Sequence, residues 1–467
     1  MPPLLASINT ALRAVLAHQQ AMQVIEHNVA NANTPGYHRQ EAVLRAGIPF
    51  PGPSLHRSGY VGQMGGGVDV ERIRRFSLEM TDARFRKAGA EAARWETEAS
   101  VLSQVQSVLA ETSEDGLAPK LDAFWAGWQA LSADPGNRTL RIDLQQRARD
   151  LVSAFHRRAV ELDSLRLDQN TALIQRAEAI NTAAESVAQL NAEISRVLSV
   201  GDQPNDLMDE RDRRLDELGR LAGATSSLQD NGEVLVSIGG HALVVGHGFF
   251  GVEAVPDPGN EQLVALTWED GQAFSPPGGE IAGLLDVRDE IIPQQKLGLD
   301  DLAAALAGRV NTLHRTGYGL NGDTGLDFFN GTTALGLRVS TDVVDPASIA
   351  TASAADSPGD GSLAAAIAAV QRELLMGGGT ATLGQAHLNL VGSLGLATQS
   401  AQNAQRDYTQ VADSLQAQRE SVTGVSLDEE AARLVQAQRA FQAAARMLTA
   451  IDEMLDRVIN GMGVVGR

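Results

Sequence analysis

Side chains able to take a proton, hold a metal or cradle a phosphate are sparse in this chain. Its 467 residues include no cysteine, which removes thiolate metal sites and disulfides together. The patterns HExxH, GxxxxGK[ST] and GxSxG do not occur. His241 and His247 have no third donor nearby and read as solvated strand histidines rather than a metal pair. Asn321-Gly322-Asp323-Thr324-Gly325-Leu326-Asp327 has the oxygen-rich look of a calcium loop. Its glycine is out of register, however, and Thr332 stands where a bidentate glutamate should close the site. A polar turn is the better reading. The glycine runs at 65–67 and 377–379 lack the lysine of a phosphate loop and read as joints. Arg72, Arg74, Arg75, Arg84, Arg86 and Arg94 form a basic segment, expected to be a solvated helix face paired with Glu71, Glu79 and Glu91. These patterns predict no catalytic residue, no cofactor and no metal.

The bulk properties exclude further classes. A formal net charge of −20 repels phosphates, so nucleic acid is not an expected partner. No run of about eighteen apolar residues exists to insert into a membrane. The opening MPPLLASINTALRAVLAHQQ lacks a charged start and an unbroken apolar region, so export, if any, is expected without a cleaved signal. Aromatic residues make up only 4%, which leaves cores to Leu, Val, Ile and Ala. Lys87, Lys120 and Lys296 are the only lysines, so arginine carries nearly all the positive charge.

The elements are written most clearly at the two ends. Leu4, Ile8, Ala11, Val15, His18, Met22, Ile25 and Val29 alternate by fours and threes, a heptad seam. That helix should stop near Asn31–Asn33, because Thr34 precedes proline and is pushed out of the α region. Asn33, Thr34, Pro35, Gly36 and Tyr37 form the expected structural turn, with Pro-Gly suited to the centre of type II. At the other end, Leu427, Ala431, Leu434, Gln438, Phe441, Ala445, Leu448, Ile451, Leu455, Val458 and Met462 form a second seam, with one extra step of three after Leu448. Ser426 and Glu429 read as a capping box. Between the ends, helix is expected at about 76–111, 121–131, 139–200 (with a kink midway), 282–315 and from 380 onward. Residues 46–68 read as a Gly/Pro loop. Alternation and turn signals at 226–275, among them Asp230-Asn231-Gly232, predict short strands, and LRVSTDVV a further one.

The expected fold is mainly α with a β-rich insertion. Long antiparallel helices from both termini make a rod-like helical domain beside a smaller outer β-containing domain. The expected boundaries are 1–45 with 425–467 for the paired terminal helices, and 46–225, 281–316 and 380–424 for the helical domain. Segments 226–280 and 317–379 make up the outer domain. Burying a Leu, Ile or Val contributes about 1.5–3 kcal/mol, against about 1–2 kcal/mol of backbone entropy for each residue fixed. One good apolar residue in three or four leaves a lone helix pair near break-even. Neighbouring copies are therefore expected to complete the packing, with Leu4, Ile8, Val15, Met22, Ile25, Val29, Leu427, Leu434, Phe441, Leu448, Ile451, Leu455 and Val458 as the assembly interface.

The stretch SINTALRAVLAHQQAMQVIEHNVANANTPGYHRQ, Ser7–Gln40, resembles the N-terminal motif shared by the axial proteins of the bacterial flagellum, the rod, hook and hook-associated proteins. Ser421–Gly461 resembles the matching C-terminal motif, and Asn205–Leu218 and Val310–Phe329 are similar to segments of the hook-associated members. The resemblance implies a non-enzymatic structural adaptor between hook and filament, outside the cell, built by helical self-assembly of the paired termini. It implies export unfolded through the flagellar type III apparatus and, as partners, the chain itself, hook protein, hook-associated protein 3 and a cytoplasmic export chaperone at the C-terminal helix. A hook or distal rod component, or an enzyme carried on the filament, are the competing readings.

Overall fold

Helix formation follows the apolar periodicity, and the positions of Pro and Gly decide where each helix stops. A computed structural model describes residues 2–49, 65–109 and 115–461, with the side chains of 2–5 and 460–461 outside that description. The chain divides into two compact units. Unit 1 comprises Met1–Gly89, Ile180–Gly251 and Gln410–Arg467; unit 2 comprises Ala90–Ala179 and Val252–Thr409. Three of the four limits fall inside long helices, α2 (Glu79–Leu109), α4 (Arg138–Ser199) and α9 (Leu383–Thr423). The strands expected as one outer domain at 226–280 are shared between the two units.

In unit 1, α1 (Pro2–Ala30) pairs with α10 (Leu427–Gly461). Asn28, near the end of α1, meets Glu430 at the start of α10, so the two run antiparallel. Ala11, Ala437 and Ala444 are buried in this unit, and small side chains let helix axes approach. Strands β1 (Gln40–Ala46) and β2 (Val68–Arg75) form an antiparallel hairpin registered from Gln40↔Arg75 to Ala46↔Val68. The expected 46–68 loop closes this hairpin, and its residues 50–64 lie outside the described residues. Arg72, Arg74 and Arg75 thus stand on a strand and not on a helix. Helix α5 (Asn205–Ala222) ends on Gly223 at φ +65°, in a left-handed cap that glycine adopts without strain. Beyond it, β3 (Thr225–Leu228), β4 (Val234–Ile238), β5 (His241–Val245) and β6 (Gly248–Phe249) make a meander in that order. Gly232 at φ +85° makes the β3–β4 turn, where Asp-Asn-Gly predicted a hairpin.

Unit 2 holds the large apolar core. It is built from α2, α3 (Leu117–Ala133), α4, α7 (Ile292–His314), α8 (Ser362–Ala369) and the first part of α9. Phe124 and Trp128 stack on Phe329 and Phe328 at centroid distances of 5.5 and 5.2 Å, edge and face contacts of the kind aromatic quadrupoles favour. A β7 (Val252–Pro256) and β8 (Val264–Trp268) hairpin precedes α6 (Gly279–Asp286), which passes through a π-helical stretch, Val287–Ile291, into α7. Helix α4 is continuous over 62 residues. The strand expected over LRVSTDVV shrinks to two residues, Arg338–Val339, paired with Phe329–Asn330. Ser340 ends it by accepting the Asp342 N–H on its hydroxyl and starting a 3-10 turn.

The calcium-like stretch is a polar turn. Asp323 accepts from Ser348 Oγ at 2.9 Å and Asp327 pairs with Arg315 through both oxygens, so these carboxylates have protein partners. Among the described residues no three His, Cys, Asp or Glu side chains converge to hold a metal.

Two buried titratable sites in unit 2 act in opposite senses with pH. His314 is fully buried; its Nδ1 lies 2.7 Å from Leu326 O, and its Nε2 accepts from Ala350 N at 2.9 Å. A neutral ring satisfies both contacts. Burial holds its pKa below the ordinary 6.5, offset only in part by the hydrogen bond to the Leu326 carbonyl. The unfolded chain then binds the extra proton, so this contribution is lost as pH falls below 6.5. Glu98 shares Arg94 with Asp286; burial, then the Asp286 charge, raises its pKa to about 7. Its contribution is present below 4.5 and is lost as pH rises through 7. All four tryptophans, Trp95, Trp125, Trp128 and Trp268, lie in unit 2, so their fluorescence reports this unit. In urea titrations followed by tryptophan emission, His314→Gln should remove the loss of stability as pH falls below 6.5. Glu98→Gln should instead remove the loss between pH 5 and 8. Unchanged pH profiles in both variants would refute the assignment.

Candidate functional site

The sequence motifs at 28–40, 205–218 and 419–430 converge within unit 1. At the centre is Asn28, wholly buried. Its Nδ2 donates to Gln40 O at 2.8 Å and Glu430 Oε2 at 3.0 Å. Its Oδ1 accepts from Tyr37 Oη at 2.8 Å and Gln40 N at 2.9 Å. Two donors and two lone pairs exhaust what a carboxamide offers, so the group is fully satisfied in its buried position. Through it, α1, the turn, β1 and α10 are fixed to one another.

The turn itself closes by Tyr37 N donating to Thr34 O at 3.2 Å, with Gly36 at φ +75°. Asn33, Thr34, Pro35 and Gly36 are exposed, and Tyr37 is half-buried. Burial, then the charges of Asp206, Asp209 and Glu430, raise the Tyr37 hydroxyl pKa well above its usual value, which keeps it a donor. The chain then meets the end of α9, Arg39 N donating to Thr423 O at 2.8 Å. Ser426 Oγ accepts the Glu429 N–H at 3.5 Å, one half of the expected capping box. The Glu429 carboxylate lies 3.3 Å from Arg39 Nη1 instead.

Beneath the turn lies a row of acids on α5. Asp206, Asp209, Asp212 and Asp216 recur by threes and fours and so share a helix face. Arg75 joins Asp209 to Asp212, Arg86 joins Asp212 to Asp216, and Arg419 joins Asp216 to Asp82. His38 N donates to Asp209 Oδ2 at 3.0 Å, and its ring Nδ1 lies 2.7 Å from Oδ1. Burial alone would raise the Asp212 carboxyl, but Arg75 and Arg86 outweigh it and hold it below the carboxylate range. Asp82 behaves differently: its burial dominates over Arg419 and raises it. Arg39 and Arg74 cover the Phe76 ring at 4.2 and 4.7 Å. A groove of about 1330 Å³ opens above this network, between the turn, Arg213 and Arg220 on α5, and the Thr423–Ser426 link.

Thus Arg75 and Arg86 pair with distant aspartates on α5, and Arg94 with Glu98 and Asp286, not with Glu71, Glu79 or Glu91. The missed residues are Asn28, His38, Gln40, Asp82, Arg419, Glu430 and the α5 row. Only the heptad spacing of the aspartates could have signalled them.

From Ile8 to Ile25 the expected α1 seam is covered, whereas on α10 the register differs at several positions. Ile25 and Ile451 are buried; Ile8, Val15, Met22, Leu434, Phe441, Leu448, Leu455 and Val458 are half-buried. Val29 and Leu427 are exposed, and the Leu4 side chain lies outside the described residues. On α10 the covered face runs through Glu430, Leu434, Ala437, Phe441, Ala444, Leu448, Ile451, Leu455 and Val458. That series alternates by fours and threes throughout, so the apparent extra step of three disappears. Gln438 and Ala431 stand exposed beside it.

The chain is 30% identical to flagellar hook-associated protein 1 of Bacillus subtilis over 98% of its own length and 99% of that protein's. It belongs to the flagellar hook-associated protein 1 family. The Escherichia coli member is 28% identical over 69% of this chain, which spans 59% of that relative's length. The family model "flagellar hook-associated protein FlgK helical domain" matches residues 102–329. Residues 8–38 match the flagella basal body rod protein model and 416–461 the flagellar basal body rod FlgEFG protein C-terminal model. The structure of the flagellar hook junction protein FlgK from Burkholderia pseudomallei shares the fold, at a TM-score of 0.67 and 15% identity, over 73% of this chain and all of that one. Hook-associated protein 1 chains are structural components of the flagellum and not enzymes, and the axial family assembles from copies of itself. No helix among the described residues is long and apolar enough to cross a membrane.

Removing one member of the carboxylate row should destabilise unit 1 strongly. Asp212→Ala leaves Arg75 and Arg86 each short of a carboxylate in a buried site, an effect of about 3–5 kcal/mol. Glu217→Ala removes only an exposed pair with Arg214, worth under about 1 kcal/mol. Urea unfolding followed by helical circular dichroism measures both, and equal effects would refute the clamp.

Proposed function

We propose that this chain is the structural adaptor that joins the flagellar hook to the filament, assembled outside the cell as a helical array of copies. Similarity over nearly the whole of both chains to a hook-associated protein 1 carries the reading. The match of 102–329 to the hook-associated helical domain favours it over a hook or distal rod component. The α1–α10 pair supports it physically. Leu12 and Leu16 on α1, and Val435, Met447 and Met454 on α10, remain exposed after the two helices have paired. Apolar faces left open on an already paired element suit contacts with neighbouring copies. The seam residues Leu434 and Leu448 hold the pair together inside each copy, and the outward residues meet the next copy. Hook protein and hook-associated protein 3 are the axial neighbours in this reading. The chain passes unfolded through the flagellar export apparatus, with a chaperone covering the C-terminal helix before export.

A strain lacking the gene should build hooks without filaments and release filament protein into the medium; normal filaments would refute the adaptor role. In the complemented strain, Met447→Glu with Met454→Glu should abolish filament attachment while the purified chain keeps its helix content. Leu448→Glu should lose helix content as well, because it strikes the pair within the copy.

A further inference from the structure

Helix α9 changes character along its length. Its first 23 residues, Leu383–Gln405, contain no Asp, Glu, Lys or Arg, whereas the next two are Arg406 and Asp407. With 21% of residues charged, about five would be expected in that span. The helix is not hidden. Leu383, His387, Leu394, Thr398 and Ala401 face the unit 2 core, and the opposite face is open. On that face Gly384, Leu388, Gly392 and Leu396 recur at every fourth residue. Leu388 is 66% and Leu396 71% exposed, and a Cβ added at Gly384 or Gly392 would meet nothing within 4 Å. Two leucine knobs thus stand about 12 Å apart, with a bare backbone patch between them. Gln385, Asn389, Ser393 and Gln399 complete a neutral border.

Single exposed leucines need no explanation. A four-turn surface face with no charge, on a chain of net charge −20, does. Copies of such a chain repel one another, and a charged contact face would add like-signed groups at short range. Depletion of charge around apolar anchors is the composition of an interface core. A different, positively charged partner would be recruited by acidic groups, which this face lacks. Neutrality suits a partner carrying the same excess of negative charge. We propose that the outer face of Leu383–Gln405 is a contact surface for a second copy of this chain, additional to the terminal helices. In a helical array the contact is heterologous, so the face meets a different patch on its neighbour.

The inference rests on the reading of the chain as a self-assembling axial protein, and one experiment separates the two. Because the chain has no cysteine, Leu388→Cys, Ser393→Cys and Leu396→Cys each introduce a single thiol on this face, with Val344→Cys as an exposed reference elsewhere in unit 2. Thiol labelling by a maleimide is compared between the purified full-length chain and isolated flagella, and a benzophenone maleimide then tests what lies opposite. All sites should label in the free chain. The three α9 sites should lose labelling on assembly and cross-link chain to chain. Equal labelling in both states, or a cross-link to a different protein, overturns the proposal while the chain remains in the flagella. Absence of the chain from isolated flagella overturns the functional reading itself.

Discussion

In unit 1 everything depends on where the negative charge of α5 is neutralised. Asp206 on the α5 face is exposed, but Asp209, Asp212 and Asp216 repel each other and resist burial. They are accommodated because Arg75, Arg86 and Arg419 arrive from a strand, the start of α2 and the end of α9, each bridging two carboxylates. A guanidinium can do this because its five donors are fixed in a planar fork, which an ammonium cannot imitate. The scarcity of lysine therefore has a structural correlate, whatever its origin: the bridging positions require arginine. Above the row, Asn28 performs the neutral counterpart of the same task, joining four segments with no donor or acceptor left over.

Periodicity made the helices legible, and turn chemistry made their ends legible. The α1 seam, the Pro-Gly stop and the Asp-Asn-Gly hairpin all follow from local rules that act over a few residues. The α10 register depends on partners far away in the chain. The expected seam passes through Leu427, Ala431 and Gln438, yet the covered face runs through Glu430, Ala437 and Ala444. Glu430 is buried because Asn28 is waiting for it, a fact held 402 positions away in the chain. The Glu429 carboxylate likewise reaches Arg39, 390 positions away.

The charged network was illegible for the same reason. Arg86 has acidic neighbours in sequence, Glu79 and Glu91, which a reading of the local segment takes as the partners of its arginines. Its actual partners, Asp212 and Asp216, lie more than a hundred residues on. The aspartate spacing on α5 was visible as a pattern, but an acid stripe on an isolated helix reads as a solvated face. Only the convergence of three arginines turns it into a buried one.

The two units are stabilised by different physics, and this bears on how an assembly can be built from the chain. Unit 2 buries Trp128, Phe124, Phe328 and Phe329 in a continuous apolar core, whose tolerance of small rearrangements is set by packing. In unit 1, α1 and α10 leave many apolar groups exposed, and the geometry is set by bridged charges and a saturated amide. Buried ion pairs add little net stability over an apolar substitute, because desolvation offsets most of the attraction. Their contribution is angular: a bidentate bridge is satisfied in one orientation and not in others. An array of identical copies needs each copy to present its terminal helices at one angle, since any spread accumulates from subunit to subunit. A polar clamp at the root of those helices meets that need better than a larger apolar patch would, because apolar surfaces slide at little penalty whereas a displaced guanidinium loses its partners.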